Sequence, residues 1–451
     1  MNNHPSVRSI GILWAQYGPY HFARVAALKE QAGPGKVHAL ELASQTSTYE
    51  WKRSATADLI TLCPGAVADR LSFWQVFHCA RRKFAELKLE VCLLPSYAPK
   101  QSLAALLAAK SLGIRTVMMN ESHAGTARAA GLAALVKRQV VGLFDAALVG
   151  GTPQKRYFKA LGLAEGKIFI GYDAVDNDYF ASKSEEIRSR ESEVRSRYGL
   201  PEHYFLSLGR FVAKKNLPVL IRAYRKCLDS DRSCQTHLVM VGSGEEEPKL
   251  RALCQELKLS IYDKTAMESG KRKAESGNEP PGVHFYGFRQ IEENPVFYAL
   301  ADAFILPSLR EEWGLVVNEA MSSGLPVVVS KAAGCAEDLL KLGRLPVPVQ
   351  LSANLNSRLS RLAGRIRQNG FVFNPKSVES LADALILLAG ASDIRRQMGK
   401  ASRIIVENFS CDVFAGNALL AARVAMGEDV AVPRSASPDD EPMDLVSKLL
   451  P

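Results

Sequence analysis

The stretch ILPSLREEWGLVVNEAMSSGLPVVVS, residues 305–330, decides the fold class of this 451-residue chain. Its pattern predicts a buried strand that ends at Pro307, a polar loop, a helix that begins near Gly314 and stops before Gly324, and a second buried strand. A strand that returns through a helix to another strand forms a βαβ unit, in which the two strands run parallel. The segment therefore predicts an α/β domain with a parallel sheet.

The same alternation of apolar runs and amphipathic stretches continues along the chain. The runs in the first half are SIGILW (9–14), VHALEL (37–42), EVCLLP (90–95), RTVMM (115–119), DAALV (145–149) and KIFI (167–170). Those in the second half are YFLSLG (204–209), THLVMVG (236–242), VHFYG (283–287), AFILPS (303–308), LPVVVS (325–330) and GFVF (370–373). Two series of strands separated by helices predict an α/β chain with two Rossmann-like domains.

A charged segment, residues 182–203, lies between the two series of strands. It contains few large apolar residues and ends in Gly-Leu-Pro, which is typical of a linker with a solvated helix. We therefore expect an N-terminal domain over residues 1–198 and a C-terminal domain over 199–408. Residues 409–428 are expected to form a helix that packs back toward the N-terminal domain, and 429–451 a flexible tail.

Two segments interrupt the second domain. Residues 263–282 are polar and rich in Gly, Pro and charge, which predicts an exposed flexible loop. Residues 341–369 carry leucines at helical spacing with arginines between them. This second segment is either an inserted surface helix or a basic amphipathic element that touches a membrane or an anionic acceptor.

The charge balance indicates the kind of partner. Lys and Arg number 57 against 47 Asp and Glu, so the formal net charge is +10 and anionic partners are favoured. The excess is spread along the whole chain without interleaved basic and aromatic residues. It therefore lacks the concentrated footprint of a nucleic-acid-binding protein, and no nucleic acid partner is expected.

Cysteine usage and hydropathy bear on the cellular compartment. The eight cysteines form no C-x-x-C pair, which indicates reduced thiols in the cytoplasm. The N-terminus shows no signal peptide, and no stretch approaches the roughly 18 apolar residues of a membrane-spanning helix. We therefore expect a cytoplasmic protein whose membrane association, if it has one, is peripheral.

Two acids flank the helix predicted in residues 305–330. Glu311 lies in the loop before the helix and Glu319 about one turn into it, so both carboxylates can border one small volume. The same volume faces the free N–H groups at the start of the helix, which favour a phosphate. A carboxylate repels phosphate but accepts hydrogen bonds from a diol, and a sugar nucleotide meets both demands. The alternative is that both acids are solvated surface residues.

Two cations follow the strand at 204–209. Arg210 and Lys215 come directly after Gly209, and Asn216 is a predicted N-cap for a helix that ends before Asp229. Ligands bind at the carboxyl ends of strands in such sheets. A guanidinium and an ammonium held there would stabilise the negative charge that gathers on a departing nucleoside diphosphate. The alternative is a solvated turn.

Several of these segments resemble the retaining GT-B glycosyltransferases of family 4. They are GRFVAKKN (209–216), LVMVGSGEE (238–246), VHFYGF (283–288), ILPSLREEWGLVVNEAMSSGLPVV (305–328) and NGFVFNP (369–375). The resemblance is strong over residues 140–335 and 369–425 and weak before residue 115. It implies two Rossmann-like domains that face each other across a cleft, with the sugar nucleotide on the C-terminal domain and the acceptor on the N-terminal one.

The resemblance also implies roles for individual residues. It implies that Arg210 and Lys215 hold the diphosphate, that Glu311 contacts the transferred sugar and that Glu319 bonds the ribose hydroxyls. The backbone of Gly314, Leu315 and Val316 is then expected to meet the sugar and phosphates, with Gly287 and Gly18 as further donor-binding positions. No cofactor or divalent metal is implied, and the anomeric configuration is retained. The letters Asp229-Ser230-Asp231 imitate a metal-binding motif but are interpreted as a turn.

The first domain departs from the family pattern. Family members carry a Gly-Gly pair in the first loop, whereas Gly18 stands alone here. His21 is a candidate for acceptor contact, with helix capping or packing as the alternative, and His123 is a candidate for sugar or acceptor contact. Asp176 is interpreted as a structural turn residue.

The predicted function is transfer of a hexose from a nucleotide-diphosphate sugar to a glycan or lipid-linked acceptor, in polysaccharide or glycoconjugate synthesis. Contact with an anionic membrane surface is a further expectation. Two alternatives stay open: a nucleotide-sugar epimerase of the same double-Rossmann architecture and an inactive sugar-nucleotide-binding scaffold. An epimerase would yield product without any acceptor.

Overall fold

A computed structural model describes residues 7–46, 58–127, 132–230, 234–265, 279–341 and 366–430. These residues form two compact units. Unit 1 takes its described residues from 1–176 and 409–435, and unit 2 takes its described residues from 177–408. All eight cysteines lie in the described ranges and are free thiols.

Unit 1 is built on a parallel sheet of seven strands in the order β3-β2-β1-β4-β5-β6-β7. The strands are β1 (Ile10–Trp14), β2 (Val37–Glu41), β3 (Leu59–Thr61), β4 (Val91–Pro95), β5 (Arg115–Asn120), β6 (Ala146–Val149) and β7 (Ile168–Ile170). The central strands are apolar along their whole length and buried, as expected for a sheet covered on both faces.

Helices cover both faces of this sheet. They are α1 (Pro19–Ala32), α2 (Phe73–Glu86), α3 (Lys100–Ser111), α4 (Leu132–Val141), α5 (Thr152–Ala160) and, from the C-terminal part of the chain, α15 (Cys411–Ala425). Helices α2 and α3 pack in one apolar cluster with the sheet, and α1 and α15 pack in another on the opposite side. The buried face of α15 is nearly all alanine around Phe414, so this helix lies close to the sheet and belongs to unit 1.

Unit 2 is built on an eight-stranded sheet in the order β10-β11-β9-β8-β12-β13-β15-β14. The strands are β8 (Tyr204–Leu208), β9 (His237–Val241), β10 (Ser260–Asp263), β11 (Gly282–Phe285), β12 (Ala303–Leu306), β13 (Val327–Ser330), β14 (Ile366–Arg367) and β15 (Gly370–Phe373). All neighbours run parallel except β14, which pairs antiparallel with β15. Strand β8 therefore lies between β9 and β12 at the centre of the sheet.

The helices of unit 2 connect these strands and extend the unit at both ends. They are α6 (Asn177–Ser189), α7 (Glu191–Tyr198), α8 (Leu217–Ser230), α9 (Glu247–Glu256), α10 (Asn294–Ala299), α11 (Leu315–Ser322), α12 (Ala336–Leu339), α13 (Val378–Gly390) and α14 (Ser392–Val406). The segment that decided the fold class forms β12, α11 and β13, and β12 pairs with β13 in parallel register.

The segment predicted to be a linker instead forms two packed helices of unit 2. Its boundary at 198 is therefore wrong, because the described residues of unit 2 begin at Asn177. Arg188 donates hydrogen bonds to the carbonyls of Ala299 and Ser323 at 2.9 and 2.6 Å. Such arginines cap carbonyl groups at the ends of other elements, so a charged sequence can form a packed surface without many large apolar residues.

Other predicted segments lie partly or wholly outside the described residues. These are the tail after residue 430, most of the loop at 263–282 and most of the insertion at 341–369. The ends of the last two are described, because Asp263 closes β10, Gly282 opens β11 and residues 366–367 form β14.

Candidate functional site

The centre of the unit 2 sheet provides a crevice for ligands. Strand β8 pairs with β9 on one side and with β12 on the other, and the connections that follow β8 and β12 lead to opposite parts of the sheet. In open α/β sheets, ligands bind outside the carboxyl ends of the strands at such a switch point. The loops after β8 and β12 carry the residues that the sequence analysis singled out.

The loop after β8 carries both predicted cations. Arg210 is exposed and follows Gly209 at the end of the strand. Lys215 closes a single turn of 3-10 helix, Ala213–Lys215, before α8 begins. The Lys215 ammonium lies 3.9 Å from the position that a Cβ on Gly209 would take. The lysine side chain therefore reaches back over the carboxyl end of β8.

The loop after β12 carries the first predicted acid. Glu311 is 8% exposed, and its Oε2 lies 2.5 Å from the Lys215 Nζ. The Ser308 hydroxyl donates to the same carboxylate oxygen at 2.9 Å. The structure thus brings together two of the residues predicted to carry the chemistry, although they are far apart in the sequence.

A second ion pair runs beside the first. Lys214 Nζ lies 2.8 Å from Glu312 Oε2, and the Leu309 N–H donates to the Lys214 carbonyl at 2.8 Å. Burial raises the pKa of Glu312, but the hydrogen bond and charge of Lys214 outweigh burial and leave that pKa below its ordinary value. The loops after β8 and β12 are therefore held together by two ion pairs and a backbone hydrogen bond.

Helix α11 begins at the same edge of the sheet. Gly314 precedes it with φ +109°, and a Cβ there would lie 2.9 Å from the Leu306 side chain. Only glycine fits this conformation and this space. Gly314, Leu315 and Val316 are partly exposed, so the first turn of the helix is accessible, whereas Glu319 is buried in its second turn.

The loops after β8, β9 and β11 form one hydrogen-bonded surface. The Gly209 N–H donates to the Val241 carbonyl at 2.9 Å, and the Gly242 N–H donates to the Gly287 carbonyl at 2.7 Å. Gly242 has φ +137°, and a Cβ there would lie 1.9 Å from the Gly209 carbonyl oxygen. Gly287 therefore lies at the predicted edge and supports the loop that follows β8 through Gly242.

Two predictions about α8 are wrong. Asn216 does not cap this helix through its side chain: it has φ +56°, and its amide donates to the carbonyls of Pro307 and Pro375. The helix also continues to Ser230, so Asp229 lies in its last turn and accepts hydrogen bonds from Arg225 one turn earlier. An i, i+4 pair on a helix surface accounts for Asp229. Residue 231 lies outside the described part of the chain.

The predicted residues of unit 1 lie at the carboxyl end of β1. Gly18 precedes α1 with extended backbone, and its N–H donates to Nδ1 of His21 at 2.9 Å. The His21 ring stacks on Trp14 with centroids 4.4 Å apart, and burial and the nearby Arg24 lower the pKa of His21 to about 3. His21 thus has the capping and packing contacts of the alternative interpretation, while an acceptor contact stays a prediction.

His123 and Asp176 follow other strands of unit 1, β5 and β7 respectively. His123 is buried after β5, and its Nδ1 accepts from the Gly125 N–H at 3.2 Å. Its contact with sugar or acceptor stays a prediction. Asp176 is exposed and directly precedes α6, and its role as a structural turn residue stays a prediction.

Further charged and polar residues lie near the predicted ones in each unit. In unit 2, Ser308 and the Lys214–Glu312 pair are not among the residues predicted from the sequence, although the doubled Lys-Lys and Glu-Glu letters are visible beside the chosen residues. In unit 1, the same holds for Arg24, which is fully buried and donates to the Ala174 carbonyl at 2.9 Å. An arginine inside an amphipathic helix carries no signal of its burial.

The described residues provide neither a cluster of metal ligands nor a membrane-spanning helix. No three His, Cys, Asp or Glu side chains in the described ranges converge so that they could hold a metal ion. Among the described helices, none combines the length and the apolar character needed to cross a bilayer.

Part of unit 2 is similar to a known protein family. Residues 190–404 match the family described as Glycosyl transferases group 1. The chain is 28% identical over 247 residues to the sulfoquinovosyl transferase SQD2 of Arabidopsis thaliana. The aligned region covers 54% of this chain and 38% of that protein. The chain is 27% identical over 250 residues to the D-inositol 3-phosphate glycosyltransferase of Streptomyces griseus, covering 52% and 43%. The chain thus spans less than half the length of these curated relatives.

Solved structures match over nearly the whole chain. A glycosyltransferase from Rickettsia africae superposes with a TM-score of 0.65 at 13% identity, covering 93% of this chain and 99% of that one. Anabaena HepE in complex with UDP gives a TM-score of 0.59 at 15% identity, covering 90% and 97%. The predicted fold class, two Rossmann-like α/β domains of the GT-B type, is confirmed.

Proposed function

We propose that this chain, whose residues 190–404 match the family described as Glycosyl transferases group 1, transfers a sugar from a nucleotide-diphosphate sugar to an acceptor with retention of configuration. The observation that carries the proposal is the contact between Lys215 and Glu311 at the carboxyl ends of β8 and β12. A cation for phosphate and an acid for sugar hydroxyls then stand side by side at the switch point of the sheet.

The donor is proposed to bind along this edge of unit 2. Arg210 and Lys215 hold the diphosphate, and the first turn of α11 at Gly314, Leu315 and Val316 offers N–H groups to it. Glu319, in the second turn, accepts from the ribose hydroxyls. Gly287 belongs to the loop surface that supports the nucleotide. The accessibility of the first turn of α11 supports this placement.

The Lys215–Glu311 pair has a chemical consequence for the reaction. The Glu311 carboxylate lies 2.5 Å from the Lys215 ammonium and balances its charge. With donor bound, the ammonium can share its three N–H groups between this carboxylate and a phosphate oxygen, while Glu311 accepts from a sugar hydroxyl. As the sugar leaves, charge grows on the phosphate, and a cation held in advance stabilises it most at that point.

We propose attack on the same face of the sugar, assisted by the departing phosphate. The family resemblance supports this route. The charge that a divalent cation would otherwise supply comes from Arg210 and Lys215, so no metal is required. The acceptor hydroxyl loses its proton to the phosphate oxygen as the new bond forms, and the nucleoside diphosphate leaves.

The acceptor is proposed to be a glycan or a lipid-linked molecule that binds mainly to unit 1. The name of one relative supports this class, since it is the O-antigen chain mannosyltransferase B of Escherichia coli. His21 and His123 are proposed to border the acceptor or sugar, and Gly18 is proposed as a further donor-binding position. Polysaccharide or glycoconjugate synthesis in the cytoplasm, with peripheral contact to an anionic membrane, completes the proposal.

A binding and transfer experiment tests this function. Purified protein is heated with UDP-, GDP- and ADP-linked hexoses, and a donor at 100 times its dissociation constant should stabilise the fold by about 2.7 kcal/mol. The stabilising donor is then incubated with candidate acceptors, and NMR reads the anomeric configuration of the product. Transfer should persist in EDTA. Epimerised donor without acceptor would favour an epimerase, and binding without turnover would favour a scaffold.

The ribose assignment predicts the effect of Glu319→Ala. A ribose contact exists in the ground state and the transition state alike, so the variant should bind donor more weakly with little change in the chemical step. Calorimetry measures the affinity for the donor, and single-turnover kinetics measures the rate of the chemical step. Glu41→Ala is the matched control, since Glu41 is an equally buried glutamate in unit 1 and should lower stability without changing donor affinity. Unchanged affinity in Glu319→Ala would contradict the assignment.

A further inference from the structure

The residue after Lys215 has an unusual backbone. Asn216 is nearly buried and adopts φ +56°, in the left-handed region that Gly and Asn tolerate best. It joins the 3-10 turn of Lys215 to the first residue of α8. The Lys215 N–H donates to the Val212 carbonyl at 2.9 Å, and the Asn216 N–H donates to the Ala213 carbonyl at 3.2 Å. The chain around Lys215 is therefore tightly folded.

The side chain of Asn216 joins three loops of unit 2. Its Nδ2 donates to the Pro307 carbonyl at 3.1 Å and to the Pro375 carbonyl at 2.9 Å. Pro307 follows β12 and Pro375 follows β15, while Asn216 itself belongs to the loop after β8. The two carbonyl acceptors use both N–H groups of the amide. An aspartate could not replace Asn216 here, because an ionised carboxylate has no N–H or O–H group to donate.

The hydrogen bond from Asn216 to the Pro307 carbonyl affects the ion pair between Lys215 and Glu311. Ser308 and Glu311 follow Pro307 in the same loop and bond to each other, and Glu311 holds the Lys215 ammonium. The Asn216 amide thus fixes the distance between the backbone that carries the ammonium and the backbone that carries the carboxylate. A flexible lysine side chain reaches its target only from a backbone held at the right distance.

We propose that Asn216 is a positioning residue of the donor site, which acts through Lys215 by holding the loop after β8 against the carboxyl ends of β12 and β15. This inference rests on the proposed function, because it assigns a diphosphate to the Lys215 ammonium. Asn216 itself touches no substrate. Its effect on diphosphate binding passes through the lysine beside it.

Substitutions at this position separate the backbone requirement from the two hydrogen bonds. Asn216→Gly keeps the left-handed conformation and removes both hydrogen bonds. Asn216→Asp keeps the size of the side chain but replaces the amide nitrogen with a carboxylate oxygen. That oxygen would face the carbonyl oxygens of Pro307 and Pro375, which repel it. Asn369→Ala is the matched control: Asn369 is a buried asparagine of unit 2 whose Nδ2 donates to the Leu339 carbonyl at 2.9 Å.

The experiment is a double-mutant cycle on diphosphate binding. Inorganic pyrophosphate serves as the probe, because it contains the diphosphate without base or sugar, and calorimetry measures its affinity for the intact chain. We expect Asn216→Gly to weaken binding about tenfold and Asn216→Asp to weaken it more, while Asn369→Ala changes the melting temperature alone. In a Lys215→Ala background, Asn216→Gly should cause no further loss. Circular dichroism confirms that each variant is folded.

The outcomes distinguish the proposals. Equal losses from Asn216→Gly in the presence and absence of the Lys215 side chain would overturn the positioning role, because the effect would then bypass the ammonium. Normal pyrophosphate affinity in Asn216→Gly would overturn it as well. No pyrophosphate binding by the unaltered chain would contradict the donor site itself. Coupled losses in a chain that transfers no sugar would contradict the transferase and support Asn216 as the positioning residue of a diphosphate site.

Discussion

Lys215→Ala and Arg210→Ala should each lower kcat/KM by a factor that corresponds to about 2 to 4 kcal/mol of lost transition-state stabilisation. This is the cost of removing one preorganised donor to developing charge. The reason is that both cations are proposed to hold the diphosphate as it departs. Lys215 lies at the carboxyl end of β8 with its ammonium on Glu311, and Arg210 follows the same strand. Single-turnover rates over a range of donor concentrations, from below saturation upward, are the measurement.

The double variant distinguishes a shared role from two independent ones. Two groups that stabilise one charge act as a unit, so Arg210→Ala combined with Lys215→Ala should cost less than the two single losses added. Arg210→Lys should restore only part of the activity, because an ammonium cannot reproduce the planar fork of a guanidinium on phosphate oxygens.

A lysine elsewhere in unit 2 provides the control. Lys226 lies on α8 and pairs with Glu379 at 2.5 Å, the same distance as Lys215 and Glu311, but both partners are exposed. Surface substitutions of this kind change the free energy of unfolding by about 0.5 kcal/mol or less. Because Lys226 is not proposed to contact the donor, Lys226→Ala should leave the transfer rate unchanged. Near-parental rates for both Arg210→Ala and Lys215→Ala would contradict the proposed mechanism and favour the scaffold.

The long buried strands could be predicted because burial on both faces leaves a continuous apolar run. Runs such as EVCLLP and THLVMVG coincide with β4 and β9 within a residue or two. The strands that escaped prediction are β3, β10 and β14, which are short and lie at or next to the edges of their sheets. A strand of that kind buries little, so its sequence needs no apolar run.

The contact at the site could be predicted only in part. Strands β8 and β12 are neighbours, so residues that follow them meet whatever the distance in sequence, and this brings Lys215 to Glu311. The role of Asn216 could not be predicted, since its side chain bonds to backbone carbonyls, which every residue has. Sequence letters show which side chains can donate, but the fold decides which carbonyls come within reach.

The second large effect is expected on stability, from Trp313→Ala. Trp313 is fully buried just before Gly314, and its Nε1 donates to the Asn318 side chain at 2.9 Å. Replacing a buried tryptophan by alanine costs about 3 to 5 kcal/mol, because burial is lost and a cavity remains. Trp313→Phe should cost less, since it keeps an aromatic ring in the space, and removing the donor to the buried Asn318 oxygen costs about 1 to 3 kcal/mol.

Urea unfolding followed by circular dichroism measures the difference, with Trp74→Ala as the control. Trp74 is 64% exposed on α2 of unit 1, so its removal should change the free energy of unfolding by less than about 0.5 kcal/mol. A small loss in Trp313→Ala would contradict the packing of the segment before α11. The indole joins the loop that carries Glu311 to the second turn of α11, because Asn318 directly precedes Glu319. Donor affinity should therefore fall in Trp313→Phe even where the fold survives, since both proposed sugar-nucleotide acids depend on the same buried ring.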